Sequence, residues 1–195
     1  MEIKDVDFSD DSFLSAFERF CLISKPYKQM EKGSLSLRKT YIKEYLEDLK
    51  TDSDYSSRSL DEDGKCLYYL FSIEKTDRKT GKKCLEVTFC FPDLNNRPSI
   101  CEVTTAFYFL MLKHLEYSGC DLYKTSLLRK RKSKFFKEFI YRYFRAVEWE
   151  GGLPKKGNKV VIRKQKIKEE YKKEIIKYEE LQIKNNRNKL DDKTP

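Results

Sequence analysis

Histidine is almost missing: His114 is the only one in 195 residues, and no Cys-x-x-C pair accompanies it. A zinc centre needs several nitrogen and sulfur ligands at close spacing, so no metal site is expected. Long hydrophobic runs are missing too. No stretch approaches the ~18 apolar residues of a membrane span, so no membrane partner is expected. The opening Met1-Glu2-Ile3-Lys4-Asp5 lacks the basic start and apolar core of a signal peptide. Internal repeats are not visible. The Ser/Asp-rich stretch 52–64 reads as a loop, and its acids lack the 12-residue ligand spacing of an EF-hand.

The six cysteines (21, 66, 84, 90, 101 and 120) are scattered, mostly among apolar neighbours, where a thiol behaves as a small hydrophobe. Reduced cysteines and a cytoplasmic location fit this pattern. The charge is uneven. Lys plus Arg number 41 against 32 Asp plus Glu, yet residues 1–65 hold 11 basic and 15 acidic side chains. Residues 122–145 hold 9 basic and 1 acidic, and residues 151–195 hold 14 and 7. A basic C-terminal half favours an anionic partner such as nucleic acid, a phosphorylated cofactor or an acidic protein. Solubility alone would explain the excess equally well.

The most organised stretch is 84–145. Leu85, Val87, Phe89 and Phe91 alternate with polar residues, the period of a strand with one buried face. Pro92 ends it. Ser99-Ile100-Cys101-Glu102 has the form of a capping box, and Val103, Ala106, Phe107, Leu110, Met111 and Leu115 follow at helical spacing. Phe109 and Leu112 widen the apolar surface, and Gly119 closes the helix. A short strand is expected at 121–128, then a helix capped by Ser133 with Phe135, Phe136, Phe139, Ile140, Tyr143, Phe144 and Val147 clustered.

Upstream, a strand at 2–7 precedes a helix capped by Ser9, with Phe8 and Phe13 placed as a hydrophobic staple. A second helix at 36–49 carries Leu37, Tyr41, Tyr45, Leu46 and Leu49 on one stripe. Residues 66–74 read as a strand joined to the 84–91 strand by a hairpin through Thr76-Asp77-Arg78-Lys79-Thr80-Gly81. Downstream, Gly151-Gly152-Leu153-Pro154 marks a turn and 159–163 a last strand. Ile167, Tyr171, Ile175, Tyr178 and Gln182 form a narrow stripe on a charged helix at 164–186, and 187–195 is expected to be disordered. That stripe suits either docking on the domain or pairing with another copy.

This order of elements over residues 1–163 resembles the GNAT family, the acetyl-CoA-dependent N-acyltransferases. Met1-Glu2-Ile3-Lys4 followed by Asp10-Asp11 and a helix resembles its opening, and Phe91-Pro92 ahead of Arg97 resembles its passage to the cofactor helix. Ser133 to Phe144 with a returning strand resembles its last helix–strand unit. The resemblance implies an α+β fold, a mixed sheet flanked by helices, here with a C-terminal helical extension. It also implies acyl transfer from acetyl-CoA to an amine acceptor.

The family's cofactor loop, Q/R-x-x-G-x-G/A, grips a pyrophosphate with bare amides at a helix start. The matching run here is Arg97-Pro98-Ser99-Ile100-Cys101-Glu102, with Ile100 and Glu102 in both small positions. That marks a degenerate member. The resemblance assigns cofactor binding to Arg97, Ser99, Arg129, Arg131 and Lys132. It makes Glu86 a base, and Tyr141 or Tyr143 the acid that protonates the leaving thiolate.

Each assignment has a plainer rival. Glu86 suits a solvent-facing strand position, Tyr141 helix-surface packing, and His114 a satisfied core histidine. The basic turn Arg129, Lys130, Arg131, Lys132 and Lys134 suits a coenzyme phosphate, a nucleic-acid backbone with Lys124 nearby, or simple solvation. A non-enzymatic module that binds nucleic acid or an acidic protein is therefore the second functional expectation. A homodimer through the C-terminal helix is the oligomeric one.

Overall fold

The computed structural model describes residues 1–23, 35–78, 80–126, 147–149 and 159–191. The elements run β1 (Glu2–Asp5), α1 (Asp11–Ile23), α2 (Leu35–Thr51), β2 (Tyr55–Leu60), β3 (Cys66–Thr76), β4 (Lys83–Pro92) and α3 (Ile100–Ser118). Then follow β5 (Leu122–Ser126), β6 (Val147–Trp149), β7 (Lys159–Arg163) and α4 (Lys164–Asp191). The strands form one mixed sheet in the order β1-β2-β3-β4-β5-β7-β6. Every neighbouring pair is antiparallel except β4 and β5. The expected α+β class with a helical extension is observed.

Two apolar layers sandwich the sheet. On one side α1 and α2 cover an aromatic cluster in which Phe13, fully buried, meets Phe17, Tyr69, Phe71 and Phe91. The Phe8–Phe13 staple forms edge to face, with centroids 5.6 Å apart. The helix cap is Asp10, not Ser9: Asp10 accepts from the Ser12 amide at 2.8 Å, while Ser9 turns back to Asp7. On α2 the buried positions are Ile42 and Leu49, with Tyr45 and Leu46 packed beside them. Tyr41, expected on that stripe, is exposed.

On the other side α3 lies against the sheet and α4 lies on α3. That is why α3 is apolar almost all round. Thr105 donates to the Glu174 carbonyl at 3.1 Å and Phe109 stacks on Tyr171 at 5.7 Å, so the two helices run antiparallel. The stripe Ile167, Tyr171 and Tyr178 thus docks on the domain. The helix continues to Asp191, through part of the tail expected to be disordered.

Two departures reshape the sheet. The stretch 52–64 contains strand β2, paired on both sides. Its Tyr-Ser-Ser-Arg-Ser-Leu sequence has no apolar alternation, but Ser57 and Ser59 are buried opposite Leu70 and Tyr68 on the α3 side. Small side chains there let α3 approach closely. In β4 the register slips between Val87 and Phe89, leaving Thr88 as an extra residue. Leu85, Val87 and Cys90 therefore join the α3 layer, whereas Phe89 and Phe91 join the α1/α2 layer. The expected single buried face becomes two.

Arg58 of β2 reaches Asp10 at 2.6 Å and ties the α1 start to the sheet. Hydrogen bonds from Ser12, then the Arg58 partner, hold the Asp10 carboxyl at about 2. A depressed carboxylate stabilises the fold above the ordinary carboxylate range and loses that contribution as pH falls toward its folded value. Asp10→Asn keeps a good cap and removes the charge. Acid unfolding of this variant, followed by circular dichroism, is expected to depend less on pH between about 4 and 2 than that of the parent.

All six cysteines are thiols. Burial pushes Cys21 and Cys66 up to about 12, which makes them packing residues and not nucleophiles.

Candidate functional site

The candidate ligand-holding feature among the described residues is the junction of β4 and β5. These parallel strands pair at Leu85↔Tyr123, and their register extends no further among the described residues. On its other edge β4 stays paired to β3 throughout. Residues 86–89 therefore have no ladder partner on the β5 side among the described residues, over roughly 13 Å at about 3.3 Å per residue. An extended chain bearing amides suits such an edge, because it can complete the ladder.

The closed end is fastened on both faces. On the α3 face Tyr123 meets Ser72 Oγ at 3.1 Å, and Ser72 Oγ meets His114 Nδ1 at 2.9 Å, all three buried. Burial holds His114 neutral, lowering it to about 3, and its Nε2 meets no partner among the described residues. His114 is thus a core histidine, bound through one nitrogen. On the opposite face Lys124 reaches Asp77 at 2.8 Å, with Asp77 almost fully buried. Asp77 also accepts from Thr80 Oγ1 at 2.6 Å and closes the β3–β4 hairpin. Lys124 is therefore a structural ion-pair partner and is not part of a nucleic-acid surface.

The loop from β4 to α3 is held rigidly. Asp93 accepts from the Asn95 amide at 2.9 Å and from Asn96 Nδ2 at 3.1 Å, and Asn96 Nδ2 also reaches the Cys66 carbonyl at 2.9 Å. Arg19 of α1 donates to Asn95 Oδ1 at 3.0 Å. Desolvation raises the Asp93 carboxyl, which remains a structural acceptor. Arg97 sits at φ 49°, a left-handed backbone that costs a residue with a Cβ about 1 kcal/mol and turns the chain into α3. Its side chain is exposed.

At the start of α3 the capping box is complete. The Glu102 carboxylate takes the Ser99 amide at 2.6 Å, and Ser99 Oγ takes the Glu102 amide at 3.2 Å. Ser99, assigned to the cofactor from the family pattern, is engaged by its own helix. An acyl-coenzyme A, which the family resemblance implies, would meet two different surfaces here. The β4 edge fits an extended amide arm. The α3 start does not fit a diphosphate, because a carboxylate occupies it and Ile100 projects where the pattern has glycine.

Glu86 lies on the open stretch of β4, but Lys75 holds it at 3.0 Å, with both side chains partly exposed. It is an ion-pair partner and not an isolated buried base. Glu86→Gln is expected to change stability by less than about 1 kcal/mol, as exposed pairs do. Were Glu86 the base, its loss would cost about 10²–10⁴-fold in rate, which a pH–rate profile would reveal. Tyr141, Tyr143, Arg129, Lys130, Arg131, Lys132 and Lys134 lie outside the described residues.

The sheet order, the parallel pair and the helix between its strands can be compared with solved structures. The chain is similar to an aminoglycoside 6'-acetyltransferase type Ii, with a TM-score of 0.52 and 12% identity over 84% of this chain and 97% of that one. This chain has a GNAT-like fold. Two further structures resemble it. PH1933 from Pyrococcus horikoshii OT3 has a TM-score of 0.52 and 11% identity, covering 83% of this chain and 97% of that one. The uncharacterized protein bh2621 from Bacillus halodurans has a TM-score of 0.57 and 10% identity over 90% of each chain. At such identities the likeness concerns the fold. By sequence, no family model and no curated protein matches. No helix of the described GNAT-like domain or its extension is long and apolar enough to cross a membrane.

Proposed function

We propose that this protein is an N-acyltransferase that moves an acyl group from a pantetheine thioester, such as acyl-coenzyme A, to an amine. The observation that carries the reading is the GNAT-like sheet, in which the parallel strands β4 and β5 pair at Leu85↔Tyr123 alone among the described residues. Its β4 edge suits the amide-bearing arm of such a donor, which would lay the thioester against the sheet. The transfer forms an amide C–N bond and breaks the thioester C–S bond; in net balance the amine proton ends on the sulfur. Much of the rate then comes from holding thioester and amine together, without a covalent intermediate on the protein. Tyr141 or Tyr143 would deliver the proton to the leaving thiolate on this reading, and the basic turn Arg129, Arg131 and Lys132 would face the donor's phosphates.

The test is an acetylation assay with acetyl-coenzyme A against a panel of amines: peptide N-termini, lysine peptides, polyamines and aminoglycosides, read by mass spectrometry. Time-dependent acetylated product that requires folded protein supports the reading. A second reading, a non-enzymatic module that binds nucleic acid or an acidic protein through Arg129–Lys134, is favoured by the capped start of α3 and the paired Glu86. No product, with oligonucleotide binding that falls steeply with salt, would select it.

A further inference from the structure

Helix α4 has a second face. Ile167 and Tyr178 are buried and Tyr171 stacks on Phe109, which fixes the side that α4 turns to the domain. At 3.6 residues per turn Ile176 falls on the opposite side. It is 54% exposed, and so is Ile183 two turns further along. An apolar residue at this position of a highly charged helix gains nothing from the domain it belongs to.

The charges around Ile176 follow a pattern. Lys172 and Lys173 precede it by four and three residues, and Glu179 and Glu180 follow it by three and four. All four spacings return to the same face. Lys172, Glu179 and Glu180 are exposed and take no part in an ion pair among the described residues. Lys173 meets Glu170 at 2.7 Å, with 60% of its side chain still exposed. The face is therefore positive on one side of Ile176, negative on the other, and inverts about that residue.

Such a face is complementary to itself. A second helix laid antiparallel about a two-fold axis at Ile176 sets Lys172 beside the partner's Glu179 and Lys173 beside the partner's Glu180, and the symmetry repeats both pairs. Ile176 then meets its own symmetry mate, and the apolar stem of the partner's Lys172 leans over Ile183. A parallel copy in register would set lysine against lysine and glutamate against glutamate.

We propose that the outer face of α4 is a self-association surface, on which a second copy of this chain packs antiparallel about Ile176. The pairing expected from the sequence thus moves to the opposite face of the same helix. One helix pair buries less than the roughly 1,200–2,000 Å² of a stable complex, so the dimer forms at high protein concentration and dissociates on dilution.

Sedimentation equilibrium of the full chain at low salt, from about 10 μM to about 1 mM, tests it over the range of weak association. A reversible monomer–dimer equilibrium is expected. Ile176→Lys sets two ammonium groups at the axis and is expected to weaken it at least about tenfold. Lys172→Glu with Lys173→Glu, and separately Glu179→Lys with Glu180→Lys, are expected to weaken it likewise, because like charges then face one another. An equimolar mixture of these two double variants restores every opposite pair, and its association is expected to return to within about threefold of the parent's. A parent that stays monomeric throughout would overturn the proposal. So would a dimer that Ile176→Lys and both double variants leave intact, because another surface then carries it, and so would a mixture that stays monomeric.

Discussion

Lys124→Ala is expected to destabilise the protein by about 3–5 kcal/mol, the usual cost of breaking a buried ion pair from one side. Asp77 is 2% exposed at its side chain and Lys124 only 12%. The pair joins the β3–β4 hairpin to β5 at the end where β4 and β5 still touch. Removing the ammonium takes a positive charge from the buried Asp77 carboxylate, which Thr80 Oγ1 also contacts. A double variant, Lys124→Met with Asp77→Asn, should recover much of the loss because neither buried charge remains. Urea unfolding of the three proteins measures this. A loss under about 1 kcal/mol for Lys124→Ala would mean that the lysine behaves as a solvated surface charge.

Tyr123→Ala is expected to cost a further large amount, about 3–5 kcal/mol, as truncations of buried aromatic residues do. Tyr123 is 1% exposed, sits opposite Leu85 at the one paired position of β4 and β5, and belongs to the α3-side core. Tyr123→Phe keeps the ring and removes the contact to Ser72, so about 1 kcal/mol is expected, the worth of one hydrogen bond. Ser72 would still have His114. Comparing the two variants by thermal unfolding separates packing from hydrogen bonding. If Tyr123→Phe is as damaging as Tyr123→Ala, the polar network, not the ring, holds the junction.

These two residues show where reading the chain succeeded and where it failed. The capping box at Ser99 and Glu102, the left-handed Gly119 after α3 and the 77–82 hairpin are local devices written in adjacent residues. They were legible for that reason. The capped start of α3 followed directly, since Glu102 stands three residues after Ser99 whatever the rest of the chain does. Strand β2 was not legible. Its serines are selected by the closeness of α3 and by partners on both sides, not by any apolar period.

The β4 bulge was hidden for a related reason. Val87 and Phe89 both look like core residues, and only the register with Phe71 and Ser72 reveals that they serve opposite faces. Lys124 looked like one more positive charge near a basic turn, because its partner is 47 positions upstream. Ser72, His114 and Tyr123 come from β3, α3 and β5, and no spacing announces that they meet. The most informative element of the site, the single pairing between β4 and β5, is a property of topology and has no residue signature.

Hydrogen exchange on the full chain, with and without saturating acetyl-coenzyme A, tests the central claim most directly: an acyl donor lies along β4, and the carboxylate-capped start of α3 does not take its diphosphate. The account predicts slowed exchange within residues 86–89 and no change at Ile100, Cys101 and Glu102. Protection at Ile100–Glu102 with the β4 amides unchanged would contradict it, as would the absence of any protected amide in β4.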